Sequence, residues 1–137
     1  MADANVRLSV LKGLVAFAIL STGAHFTHNF VEIDSYPDGF VSGEVVQVAI
    51  LVSWPLFTAI ALHGLLLYSR GDHSRAHVLL AIYAFLPLTT PGHFIDGSPD
   101  IAPFWIATIF TDGLAGLALV AFVALSARSL RRESAPA

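Results

Sequence analysis

The chain has 137 residues, enough for one domain, but it is 55% hydrophobic, 12% charged and has a mean hydropathy of +0.72, outside the range of ordinary soluble domains. It contains no cysteine, which excludes disulfide frameworks, thiolate metal sites and cysteine nucleophiles. A net charge of −3 without a basic patch argues against nucleic acid as a partner.

Four apolar runs follow one another, at about 8–33, 44–68, 76–94 and 101–125. Each reaches or approaches the ~20 residues that carry a helix across a bilayer. Residues 1–7 read as a polar tail. The first run is longer than a signal-peptide core, contains His25 and His28 and ends without a small-residue cleavage site, so it is expected to remain as a helix. It should stop at Asp34-Ser35-Tyr36-Pro37-Asp38-Gly39, where Pro and Gly favour a turn. Ser42 is placed to cap the second helix, with Glu44 in its first turn, where a carboxylate suits the helix dipole. Gln47, Leu51 and Trp54 continue the stripe from Glu44, and Pro55 should kink this helix.

The polar segment Ser69–Arg75 reads as a loop in which His73, like nearby His77, is solvated. The third helix carries Pro87 and Pro91 near its end, before His93. Prolines four apart leave carbonyls without partners, which a membrane helix tolerates where it lines a protein-enclosed cavity. The fourth helix opens with Pro103 in its first turn and Trp105 at interfacial depth. Asp112 follows about ten residues in, ~15 Å deep at ~1.5 Å per residue, near the midplane of a bilayer. An acid there marks a functional site by default. His25 falls at a comparable depth, and Gly113 and Gly116 suit close helix packing.

Charge placement gives the orientation. All seven Lys and Arg residues (Arg7, Lys12, Arg70, Arg75, Arg128, Arg131 and Arg132) fall at the termini or in the middle loop, and segments 34–43 and 95–100 have none. Four spans with that asymmetry put both termini in the cytoplasm.

The candidate chemistry is concentrated in Gly23–Glu32, where His25, His28, Asn29 and Glu32 share one face of the first helix. With Glu44, Gln47, His93 and Asp112 they form a polar set on the outer half of an apolar protein, a costly arrangement unless the groups are used or paired. Three readings compete. Desolvation disfavours the charged forms of acids and imidazoles alike, so such a cluster can hold protonated and deprotonated members together for acid/base catalysis. His25, His28 and Glu32 are also spaced to chelate a metal or haem, although the spacing is no specific metal signature. In the third reading, the groups satisfy one another between packed helices.

The pattern His28-x-x-x-Glu32, Glu44-x-x-Gln47, Trp54-Pro55-Leu56, then Phe104-Trp105 with a polar residue seven after the Trp, resembles the emopamil-binding protein-like (EXPERA-domain) family. That family includes a sterol Δ8–Δ7 isomerase and the sigma-2 receptor. The resemblance spans residues 23–127. It implies that His28, Glu32 and Glu44 carry proton transfers to and from a substrate double bond through a carbocation. Gln47 stands where Thr is typical, Asp112 where Asn is and Ala115 where a pocket Trp is, which implies a differently shaped, more acidic pocket.

The resulting expectation is an all-α fold, a single four-helix transmembrane bundle over residues 1–137 with an intramembrane polar cavity. Its function would be an intramembrane acid/base isomerase or cyclase acting on a lipophilic polycyclic or isoprenoid-like substrate. Glu32, Asp112, Glu44 and His28 are the expected catalytic groups, and His25, Asn29, Gln47, Trp54, His93 and Trp105 line the substrate. No metal or cofactor is expected. The expected partners are the lipophilic substrate, membrane lipid and a second copy of the chain in a homodimer. A ligand-binding protein without turnover is the main rival, and a metal or haem protein the third.

Overall fold

A computed structural model describes residues 2–35, 42–95, 97, 98 and 100–133. The described residues are all helical in their regular structure, with four α-helices: α1 (Ala2–Val31), α2 (Gly43–Ser69), α3 (His73–Leu88) and α4 (Pro103–Glu133). Short 3-10 turns at Ile33–Ser35 and Thr90–Phe94 follow α1 and α3. Each helix packs against its neighbours in a closed ring, α1 on α2, α2 on α3, α3 on α4 and α4 back on α1. Three of the four, α1, α2 and α4, are long and apolar enough to cross a membrane. At 16 residues, α3 is ~24 Å long, short of a ~30 Å hydrocarbon core.

The central core is small and dry. Leu11, Val15 and Ala18 of α1 meet Ala61 of α2, Leu80 and Ala84 of α3, and Ala115 and Leu119 of α4. Small alanine side chains on every helix of the ring let the backbones lie close. Outside that core the surface is apolar. Val45, Val48, Leu51, Val52, Leu56, Leu62 and Leu66 of α2 are all exposed, as are Phe110, Leu114 and Leu117 of α4. A soluble protein rarely leaves so large an apolar surface open to water.

Several element boundaries differ from the sequence expectation. The helix α1 begins at Ala2, and its first turns are tied to α4 because Arg7 donates to Ser129 Oγ at 2.8 Å and pairs with Glu133 at 2.7 Å. Ser42 holds the N-cap position of α2, but its hydroxyl makes no cap bond. The turn expected over Tyr36–Gly39 lies outside the described residues. The buried residues of α2 (Ala61, Gly64 and Tyr68) all follow Pro55, so the half before it lies on the surface of the ring.

The end of α3 shapes the polar end of the ring. The helix stops at Leu88, one residue after Pro87, where the apolar run continues to residue 94. Thr90 ties this end to α4: its single hydroxyl proton is shared between Pro87 O at 2.8 Å and Ile109 O of α4 at 3.2 Å. Gly116 allows the approach. A Cβ there would meet Ala84 O and Pro87 Cγ at 3.0 Å each, so a larger residue would push α4 away from α3. With the helix ended, Thr90–Phe94 turns inward as a 3-10 segment and carries His93 across to α1.

Candidate functional site

The polar residues in the last turns of α1 divide between two edges of the helix. At ~100° per residue, positions four apart lie ~40° from each other and positions three apart ~60°. His25 and Asn29 therefore share one edge and His28 and Glu32 the other. The first edge is sealed inside the protein; on the second, Glu32 is exposed and His28, itself only 5% exposed, borders a groove.

On the sealed edge, Thr22, His25 and Asn29 are each at most 5% exposed, and Asp112 of α4 is 0% exposed. Thr22 donates to Asp112 Oδ1 at 2.6 Å, while His25 Nδ1 lies 3.0 Å from Asp112 Oδ2. Both carboxylate oxygens thus have a partner, which offsets a desolvation cost of several kcal/mol for a buried acid. Tyr83 OH of α3 is 3.5 Å from Thr22 Oγ1 and closes the network from behind. On the far side of the His25 ring, Nε2 lies 3.0 Å from His93 Nε2, and Asn29 Nδ2 is 3.1 Å from each of them. Asn29 Oδ1 is buried and has no hydrogen-bond partner among the described residues.

On the other edge, His28 and Glu32 line a groove of about 340 Å³ together with Thr27, Val31, Asp100 and Trp105. The His28 ring lies over the Trp105 indole with centroids 4.3 Å apart and planes 31° apart. Glu32 is exposed, and so is Asp100. The groove thus combines an aromatic face, an imidazole and two carboxylates. Its wall does not include His25, Asn29 or Asp112.

The remaining expected residues lie elsewhere. Glu44 is exposed in the first turn of α2 and lines none of the described grooves. Gln47 donates its amide to Phe30 O at 2.8 Å, satisfying a carbonyl at the end of α1 and fastening α2 to it. Trp54 lies against Gly23, where a Cβ would come within 3.1 Å of the indole. It lines an apolar groove of about 390 Å³ between α1 and α2 with Phe26, Phe30, Leu51 and Pro55. The expected residues therefore sort into a buried network (His25, Asn29, His93, Asp112), a polar groove (His28, Glu32, Trp105), an apolar groove (Trp54), a helix fastening (Gln47) and an exposed carboxylate (Glu44).

Sequence reasoning passed over Thr22 and Tyr83. Thr22 stands three residues before His25 on the same stripe, which was the available signal; Tyr83 joins only through tertiary contact. It also passed over a second polar cluster at the other end of the ring. There Ser126, fourteen residues after Asp112 and about four turns along the same face of α4, shares a hydrogen bond with Tyr68 OH at 2.9 Å and lies 3.1 Å from His77 Nε2. His77 is therefore half-buried and engaged, where the sequence suggested a solvated group.

No protein-family model matches this chain, and comparison with curated proteins and with solved structures likewise finds no match. Its function is therefore read from the geometry and chemistry of the site.

Proposed function

We propose that this chain is an integral membrane protein that carries out acid/base chemistry on a lipophilic substrate, isomerising or cyclising it through a carbocation. The observation that carries the reading is the groove in which His28, Glu32 and Trp105 meet, backed by the buried Asp112–His25 pair. In this reading Glu32 delivers a proton to a substrate double bond, leaving a cation on the adjoining carbon. His28 removes a proton from a neighbouring carbon, so the double bond re-forms one position along. The electron-rich face of Trp105 and the carboxylate of Asp100 stabilise the cation meanwhile. Asp112 does not reach the groove. It acts as a positioning residue, holding His25 and through it the last turns of α1. Glu44 takes no part.

The membrane placement is supported by the three long apolar helices and the exposed apolar surface. In this reading α3 and the 3-10 segment, residues 73–94, make the fourth span, and the cationic side chains keep both termini in the cytoplasm. A reporter active only outside the cell should stay silent when fused to the C-terminus.

The groove between α1 and α2 supports a second reading, ligand binding without turnover. Its wall of Phe26, Phe30, Leu51, Trp54 and Pro55 suits a lipophilic chain and offers no ionisable group. One experiment separates the two. Protein-containing membranes incubated with a total lipid extract in D2O should place solvent deuterium into a lipid carbon, and Glu32→Gln should lower that incorporation by roughly 10²–10⁴-fold, the scale for one positioned acid or base. A lipid that co-purifies unchanged and unlabelled would favour binding alone.

A further inference from the structure

His25 Nε2, His93 Nε2 and Asn29 Nδ2 form a nearly equilateral triangle with sides of 3.0, 3.1 and 3.1 Å. Protons alone do not satisfy it. With His25 Nδ1–H donating to Asp112, His25 Nε2 carries a lone pair. If His93 Nε2 also carries a lone pair, the two lone pairs face each other at 3.0 Å. Nor can Asn29 then serve both, because its acceptors are about 60° apart at the amide nitrogen while the two N–H bonds diverge by roughly 120°. If instead His93 Nε2 is protonated and donates to His25, an Asn29 N–H points at an N–H of His93. A doubly protonated His25 only moves that conflict to its own ring. Turning the amide so that Oδ1 faces the rings puts like against like on another side of the triangle. Every assignment leaves one side repulsive, with the His25–Asn29 side buried and His93 half-buried.

A cation resolves all three sides at once. We propose that His25 Nε2, His93 Nε2 and Asn29 Oδ1, with the amide turned inward, are the protein ligands of a divalent first-row transition-metal ion. Amide orientation is set by the hydrogen-bond network; turning it brings Oδ1 to the rings and places Nδ2 where the described residues offer no partner. The spacing fits. Ligand atoms ~2.1 Å from a metal and ~90° apart lie ~3.0 Å from one another, the edge of one face of an octahedron, whereas a tetrahedral site needs ~3.4 Å. Imidazole nitrogen suits zinc, copper, nickel and iron, and two imidazoles with one oxygen on a face leave further positions for exogenous ligands.

The second shell is already built. Asp112 accepts from His25 Nδ1, which fixes the tautomer that leaves Nε2 free for metal, and Thr22 holds Asp112 in turn. This set differs from the His25, His28 and Glu32 spacing weighed from the sequence, because His28 and Glu32 turn to the groove while His93 arrives from the end of α3. The proposal does not depend on turnover at the groove, and metal binding is measured without any substrate.

The test uses full-length, tag-free protein in detergent, with Zn²⁺ and Co²⁺ as probes. About one equivalent should bind, with Co²⁺ giving the weak d–d absorption of a six-coordinate rather than a tetrahedral ion. His93→Ala should weaken binding by roughly a hundredfold or more and Asp112→Asn by about 10–100-fold, the scale for a second-shell partner. Asn29→Asp, which supplies a charged oxygen at the same place, should tighten it about tenfold or more and keeps the proposal testable if His93→Ala does not fold. The double variant His73→Ala/His77→Ala removes the competing pair on α3 and should leave metal affinity unchanged, whatever it costs the Ser126 cluster in stability. Absence of binding, binding that survives His93→Ala, binding lost in the α3 double variant, or affinity unchanged in Asn29→Asp would each overturn the assignment.

Discussion

The two buried polar clusters of this protein make an instructive pair. Each joins three elements through hydroxyls and imidazoles near one end of the helical ring, and the dry core of Leu11, Val15, Leu80 and Leu119 separates them. The cluster of Tyr68, His77 and Ser126 is neutral and balanced. One hydroxyl meets another at 2.9 Å and an imidazole at 3.1 Å, and its proton assignments are compatible. The cluster of Thr22, His25, Asn29, His93 and Asp112 contains a fully buried carboxylate, crowds three nitrogens together and leaves an amide oxygen unpartnered. The first is a latch between α2, α3 and α4. The second carries more polar groups than a latch needs, and surplus buried polarity marks a site under a demand other than packing.

Three substitutions probe that contrast. The largest effect should come from Asp112→Leu, which strands Thr22 and His25 without their acceptor and should cost about 3–5 kcal/mol, as breaking a buried pair does. Thermal or denaturant unfolding in detergent measures it, and a cost no larger than at the latch would erase the distinction between the clusters. Ser126→Ala comes next. It leaves Tyr68 OH and His77 without a shared partner and should cost about 1–3 kcal/mol, with metal affinity and deuterium incorporation unchanged. A change in either function would mean that the two ends are coupled through the core. The smallest effect belongs to Glu44→Gln, exposed and remote from both clusters. Stability and deuterium incorporation should match the parent within error, and a large loss of incorporation would return Glu44 to the proton chemistry.

The fold class was legible because it rests on local pattern. Four apolar runs separated by Pro, Gly and charged residues leave few alternatives to helices, and three of the resulting helices are long enough to span a membrane. Pro87 was visible as a disturbance, but its outcome was not. A proline inside a helix can kink it or end it, and only the structure shows that α3 ends here, with Thr90 of the following 3-10 segment bridging Pro87 O to Ile109 O of α4.

The candidate site divides in the same way. Sequence alone determined that His25, His28, Asn29 and Glu32 share the last turns of α1 and that Asp112 lies at the depth of His25, since rise and rotation per residue are fixed properties of a helix. Only tertiary structure decided that the face splits. His25 and Asn29 turn toward α4 and the end of α3, His28 and Glu32 toward Trp105, and Glu44 toward neither. Helical periodicity places side chains to within a few tens of degrees around one axis. Which of two adjacent edges becomes buried depends on where the neighbouring helices stand, and that was set by Gly116 and by the early end of α3.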